Sequence, residues 1–212
     1  MGLYTIKVRI NSSFYTFGSI CYDIKSVISR NGDLELNEID SRRNIIIVGF
    51  MGTGKSTVSQ LLSERLGWES KDTDAEIEKA AGRSIPQIFA KDGEEAFRDW
   101  ETRVLEQTLC QGNRIVATGG GAVLREGNRR TMLERGWVVA LTADKASLIR
   151  RVTSAAEGTR PLLAGDAEAR VSALLEARKH AYDFANAKVD TSDRTPAEVA
   201  ELLLQGLPKG WI

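Results

Sequence analysis

Residues 44–57 read Asn44-Ile45-Ile46-Ile47-Val48-Gly49-Phe50-Met51-Gly52-Thr53-Gly54-Lys55-Ser56-Thr57, and this stretch decides the fold. Four branched apolar residues in a row describe a strand buried on both faces. Gly49 to Ser56 matches G-x-x-x-x-G-K-[ST] without a gap. From Lys55 the pattern turns helical, with Val58, Leu61, Leu62 and Leu66 on one face. A strand, a glycine turn and a helix in that order aim several backbone N–H groups and a helix N-terminus at one point, where phosphate charge is favoured. Lys55 adds a cation toward the β and γ phosphates, and the Ser56 hydroxyl can ligate Mg²⁺. The segment is therefore read as a nucleoside triphosphate site, with Gly52, Thr53, Gly54, Lys55, Ser56 and Thr57 holding its phosphates.

Working outward, strands and helices alternate. Trp68–Lys71, Arg114–Thr118, Trp137–Thr142 and Lys188–Asp190 read as further strands. Helical patterns cover 75–81, 84–90, 93–110, 126–134, 145–155 and 167–185. Thr195-Pro196-Ala197-Glu198 is a capping box with Pro at the first helical position, which opens a last helix. Strands separated by helices imply a parallel sheet covered on both faces, a three-layer α/β/α sandwich. Upstream, the turn Asn31-Gly32-Asp33 and an acidic stretch precede the first buried strand. The boundary is placed near residue 41, giving an N-terminal extension (1–40) of unknown role and one domain (41–212). Residues 1–30 hold five Ser, four Lys or Arg and a single acid. That is only a faint transit-peptide composition, and a short appendage around the alternating Thr5–Ile10 or a leader is preferred.

Composition removes several classes. The chain of 212 residues carries 29 basic and 29 acidic side chains, so no global field draws it to nucleic acid. A single histidine, His180, leaves no multi-His metal site or His-centred triad. Two cysteines are too few for a disulfide scaffold, which fits a reducing cytoplasm. No apolar run approaches a membrane span. A soluble cytoplasmic protein, monomeric and without nucleic-acid or membrane partners, is the expectation.

Two features argue against switches and motors. Thr142-Ala143-Asp144-Lys145 has the wrong order for a guanine-reading [NT]-K-x-D, and Ile115-Val116-Ala117 runs into Thr118-Gly119-Gly120-Gly121 rather than a metal-binding Asp. A small kinase remains. Ligands of parallel α/β sheets lie beyond the carboxyl ends of the strands. Asp72-Thr73-Asp74 and Gly119-Gly120-Gly121 both fall there. Two carboxylates two residues apart can divide labour, Asp72 near Mg²⁺ through water and Asp74 accepting a proton from an acceptor hydroxyl. Helix capping by Asp72 or Thr73 is the plainer alternative. The triple glycine permits close backbone approach to a ligand, or simply a tight turn.

These segments, with Gly82-Arg83-Ser84-Ile85, Phe97-Arg98-Asp99-Trp100-Glu101, Arg160-Pro161-Leu162-Leu163, Arg178 and Val189-Asp190-Thr191, occur in one order over residues 43–206. The series resembles shikimate kinase, of the nucleoside-monophosphate-kinase-like P-loop group. The resemblance implies a P-loop kinase with a mobile lid that phosphorylates the 3-hydroxyl of shikimate with ATP and Mg²⁺, in chorismate and aromatic amino-acid biosynthesis. It puts Arg98 and Arg178 on the substrate carboxylate and Asp74 on the ring hydroxyls as base. Gly119, Gly120 and Gly121 then become backbone contacts, with Glu101 holding Arg98. Lys55 and the lid's Arg160 act on the transferring phosphoryl group, and Arg194 aligns with an adenine-side loop. Another small-metabolite kinase, for gluconate or a nucleotide, would share the phosphate loop but have little use for paired Arg98 and Arg178. A non-enzymatic ATP-binding module is the other alternative.

Overall fold

The computed structural model describes residues 6–10, 13–17, 43–155 and 167–211, and the chain divides into two units, Met1–Glu38 and Ile39–Ile212. In the first unit, strands β1 (Ile6–Ile10) and β2 (Ser13–Phe17) pair antiparallel, with Ile6 opposite Phe17.

The second unit is built on five parallel strands: β3 (Ile45–Gly49), β4 (Glu69–Asp72), β5 (Arg114–Ala117), β6 (Trp137–Thr142) and β7 (Ala187–Asp190). Their order across the sheet is β4-β5-β3-β6-β7, so β3 lies at the centre and pairs with both β5 and β6. Because side chains alternate along a strand, β3 feeds two cores. Ile45 and Ile47 pack with Val58 and Leu62 of α1 (Lys55–Leu66) and with Val199 and Leu203 of α7 (Pro196–Gln205). Ile46 and Val48 face the other way, onto Leu105 and Leu109 of α3 (Ile85–Leu109) and Met132 of α4 (Glu126–Arg135). All four β3 side chains are fully buried, each worth about 1.5–3 kcal/mol relative to exposure. The result is the expected α/β/α sandwich.

Two smaller clusters flank the sheet's carboxyl end. Ile77 of α2 (Thr73–Ala81) packs with Ile88, Phe97 and Val104 of α3, and Phe50 packs with Leu148 and Val152 of α5 (Lys145–Ala155) and Val171 of α6 (Ala167–Ala177). Helix α3 is broken at Gly93, whose φ of 84° and ψ of 175° no helical residue adopts. That break falls at the first residue of the second of the two helical patterns expected at 84–90 and 93–110.

Several boundaries shift by a residue or two, and one differs more. The helix expected over 167–185 ends at Ala177, and residues 178–184 continue as tight turns through bonds such as Ala181 N–H to Arg178 O and Asp183 N–H to His180 O. Three anchors explain the tighter path. Arg178 and Tyr182 both reach the Gly120 carbonyl, and Asn186 exchanges hydrogen bonds with Val138 at 2.9 and 2.8 Å, which sets β7 beside β6. His180 is exposed there and bonds Asp183 at 2.8 Å. Arg160 and the loop around it, where the lid is expected, lie outside the described residues.

Candidate active site

The phosphate loop follows from the β3 and α1 junction. Gly54, at φ 88°, caps α1 and lets Lys55, Ser56 and Thr57 open the helix with first-turn N–H groups that have no acceptor within it. The loop braces itself, since the Thr53 hydroxyl donates to Phe50 O at 2.8 Å and Lys55 Nζ donates to the same carbonyl at 3.0 Å. Ser56 Oγ donates to Asp72 Oδ2 at 2.7 Å, joining the first turn of α1 to the end of β4. Asp72 also uses Oδ1 to accept from Asp74 N–H at 3.0 Å, capping α2. Capping and the contact with Ser56 thus coexist in one carboxylate. The two oxygens at the loop are hard donors suited to Mg²⁺, which binds through one or two protein oxygens together with waters and phosphates.

Next to this loop is a cavity of about 210 Å³ whose wall includes Lys55, Ser56, Asp72, Asp74, Arg98, Glu101, Gly119–Gly121 and Arg178. The parallel register places Asp72 beside Ala117, so the Asp72–Asp74 segment and the triple glycine leave the sheet side by side. Thr73, buried, accepts from Gly119 N–H at 2.9 Å and locks the two together. The glycines are needed for close approach. A Cβ on Gly119 would stand 2.5 Å from Asp74 Oδ1 and 3.0 Å from Glu101 Oε1, and one on Gly121 would stand 2.0 Å from Arg98 Nη1.

Arg98 is 7% exposed and Glu101 2%. Nη1 of Arg98 bonds Glu101 Oε2 at 2.5 Å, while Nη2 bonds the exposed Glu94 at 2.8 Å. Burial pushes the Glu101 carboxyl above its ordinary range, and the Arg98 guanidinium opposes that shift. Arg178, 6% exposed, bonds Gly120 O at 3.2 Å and lies over the Phe50 ring at 5.8 Å. Two buried guanidinium groups beside one glycine loop suit a small anionic carboxylate. Glu78, Ile85 and Phe89 add a half-apolar wall.

The structure brings Lys55, Ser56, Asp72, Asp74, Arg98, the three glycines and Arg178 together in one cavity wall. Arg194 lies elsewhere, with Nη1 on Asp190 O at 2.6 Å in the loop after β7. Gly52 abuts α5, since a Cβ there would come within 2.9 Å of Val152, and Thr57 is exposed on α1. Sequence reasoning missed Arg151, which bonds Thr191 Oγ1 at 3.0 Å, Thr191 O at 2.6 Å and Ser192 O at 3.1 Å, tying α5 to the Arg194 loop. It also missed Tyr182, which bonds Gly120 O at 3.2 Å. Its four-residue spacing from Arg178 was the available signal.

Comparison with known proteins identifies the family. The family described as shikimate kinase matches residues 51–208. A shikimate kinase from Pelotomaculum thermopropionicum is 42% identical over 166 residues, covering 78% of this chain and 95% of its own length. One from Thermobifida fusca is 43% identical over 171 residues, covering 80% and 98%. Among solved structures, a shikimate kinase from Acinetobacter baumannii in complex with shikimate superposes with a TM-score of 0.74 at 37% identity, covering 78% of this chain and 93% of that one.

Proposed function

The chain belongs to the shikimate kinase family, and from that premise we propose how its residues divide the work of moving a phosphoryl group from ATP to the 3-hydroxyl of shikimate. Membership sets aside the gluconate, nucleotide and non-enzymatic alternatives. The single observation that carries the division of roles is the cavity wall in which Asp74, Arg98, Arg178 and the triple glycine face the same space as Lys55 and Ser56.

Arg98 and Arg178 grip the carboxylate of shikimate, and their burial makes each charge-assisted bond strong and directional. Asp74 holds the ring hydroxyls and takes the proton of the 3-hydroxyl as its oxygen attacks the γ-phosphorus. Gly119, Gly120 and Gly121 offer backbone contacts where no side chain fits. Lys55 and the N–H groups of Gly52–Thr57 hold the ATP phosphates and balance charge that spreads over the transferring group. Mg²⁺, held at Ser56 and through water at Asp72, supplies charge neutralisation for those phosphates when bound. Arg160 closes over the phosphates from the lid and excludes water, and Arg194 borders the adenine.

The same reading takes residues 41–212 as the catalytic unit and 1–40 as an extension outside it, supported by a family match that starts at residue 51. It takes the protein as a cytoplasmic monomer without nucleic-acid or membrane partners. Balanced charge argues against a polyanionic partner, and no helix among the described residues is long and apolar enough to cross a membrane.

The test is Arg98→Lys. Losing the fork geometry should raise the KM for shikimate about tenfold or more while leaving that for ATP unmoved. An unchanged shikimate KM would refute the assignment of Arg98.

A further inference from the structure

The triple glycine loop carries the backbone contacts of the substrate site, yet glycine is the residue least able to hold its own conformation. Something outside the loop must fix it. Thr73 Oγ1 holds Gly119 N–H at 2.9 Å, and the carbonyls of Gly119 and Gly121 accept from Ala122 and Leu124 N–H at 3.1 and 3.0 Å. The remaining carbonyl, Gly120 O, receives two donors at 3.2 Å each, Arg178 Nη1 and the Tyr182 hydroxyl. No hydrogen bond among the described residues occupies the N–H groups of Gly120 or Gly121. In a planar trans peptide the N–H of Gly121 points opposite to the Gly120 carbonyl. Whatever orients that carbonyl therefore also aims the Gly121 N–H.

Tyr182 is not part of the cavity wall. Its side chain packs against the core cluster that includes Ile46, Val48 and Val123, and burial raises its hydroxyl above the ordinary range, so it remains a donor. Arg178 does line the cavity, so its N–H donors are shared between Gly120 O and a carboxylate bound there. Tyr182 donates to the same carbonyl from outside the cavity wall, so its bond does not depend on how the guanidinium divides those donors.

We infer that Tyr182 is a positioning residue of this kinase: its hydroxyl pins the Gly120 carbonyl, so that the Gly120–Gly121 peptide keeps its orientation while Arg178 engages the substrate. This rests on the reading of Arg178 and the glycine loop as shikimate contacts. It predicts a specific defect in acceptor binding, from a residue that touches neither substrate.

The experiment measures steady-state kinetics of the full chain as Tyr182→Phe and, in parallel, as Arg178→Lys, varying shikimate and ATP separately and recording Tm. Phe keeps the ring in the core and removes only the hydroxyl. The expected result is a shikimate KM raised about fivefold in Tyr182→Phe, with the ATP KM unchanged, and a larger rise in Arg178→Lys. A shikimate KM unchanged in Tyr182→Phe but raised in Arg178→Lys would overturn the role of Tyr182 alone. No change in either variant would overturn the underlying site reading along with it. Equal rises in both substrates' KM, with a lowered Tm, would make Tyr182 a structural residue and equally overturn the proposal.

Discussion

Nη1 of Arg98 lies 2.5 Å from Oε2 of Glu101, one helical turn further along α3, and both side chains are buried. The pair fixes one prong of the guanidinium by a group that solvent barely reaches, while the other prong is held by exposed Glu94. Breaking a buried pair leaves a charge without its partner, which costs far more than losing a surface bridge. In Glu101→Gln, Arg98 keeps a neutral acceptor in place of a carboxylate. The shikimate KM should rise about tenfold, from the roughly 1.5–3 kcal/mol of a hydrogen bond to a charged group; separate titration of shikimate and ATP checks this.

The same carboxyl gives a pH prediction. Burial raises the folded pKa of Glu101 above its ordinary 4.5, so the stability it contributes is full below that value and is lost as pH rises through the folded pKa. Tm measured from pH 4 upward should therefore fall for the wild type relative to Glu101→Gln. A constant difference between the two would show that the carboxyl does not titrate in that window.

Asp72 serves Ser56 with one oxygen and the α2 N-terminus with the other. Asp72→Asn can keep the cap through its amide oxygen but loses the charge. The expected outcome is a Tm within about 1 kcal/mol equivalent of the wild type, with a several-fold rise in the Mg²⁺ concentration giving half-maximal turnover. Titration of Mg²⁺ at fixed ATP reads the effect.

Gly121→Ala places a methyl group where Arg98 Nη1 now stands, 2.0 Å away. The guanidinium has to move, since it is packed between Gly121 and Glu101. Turnover at low shikimate should drop about tenfold or more, by analogy with a misplaced binding group, while ATP binding followed by calorimetry is retained. Gly127→Ala, with open space around the added carbon, is the control that should leave both unchanged.

Much of this was legible in the sequence for identifiable reasons. The unbroken run Ile45–Val48 next to the phosphate-loop pattern placed β3 and α1 almost to the residue, because buried strands and glycine turns have few alternatives. The Arg98 and Glu101 spacing marked their contact, since residues three apart share a helix face. Arg151 was not legible. It carries no motif, and its partners are carbonyl and hydroxyl groups 40 residues away that only the folded chain brings near. The end of α6 was equally hidden, because the helical pattern runs on past Ala177 while tertiary bonds from Arg178, Tyr182 and Asn186 impose tighter turns. Ile85 and Phe89, which carry no site role in the sequence reading, pack against the Ile77 cluster and also wall the cavity.

Asp74 lines the same cavity, its Oδ1 2.5 Å from where a Gly119 side chain would begin. Asp74→Asn removes a proton acceptor with almost no change in volume. Folding and ATP binding should persist while kcat falls about a hundredfold or more, the range general-base groups contribute. Full activity in that variant would end its assignment as base.

The most direct measurement is ADP release from Mg-ATP by the purified full chain with shikimate, quinate, gluconate, AMP or no acceptor. The account predicts turnover that depends on shikimate and exceeds every other condition by a wide margin. ADP release driven equally by gluconate or AMP, or none with shikimate despite ATP binding, would contradict it.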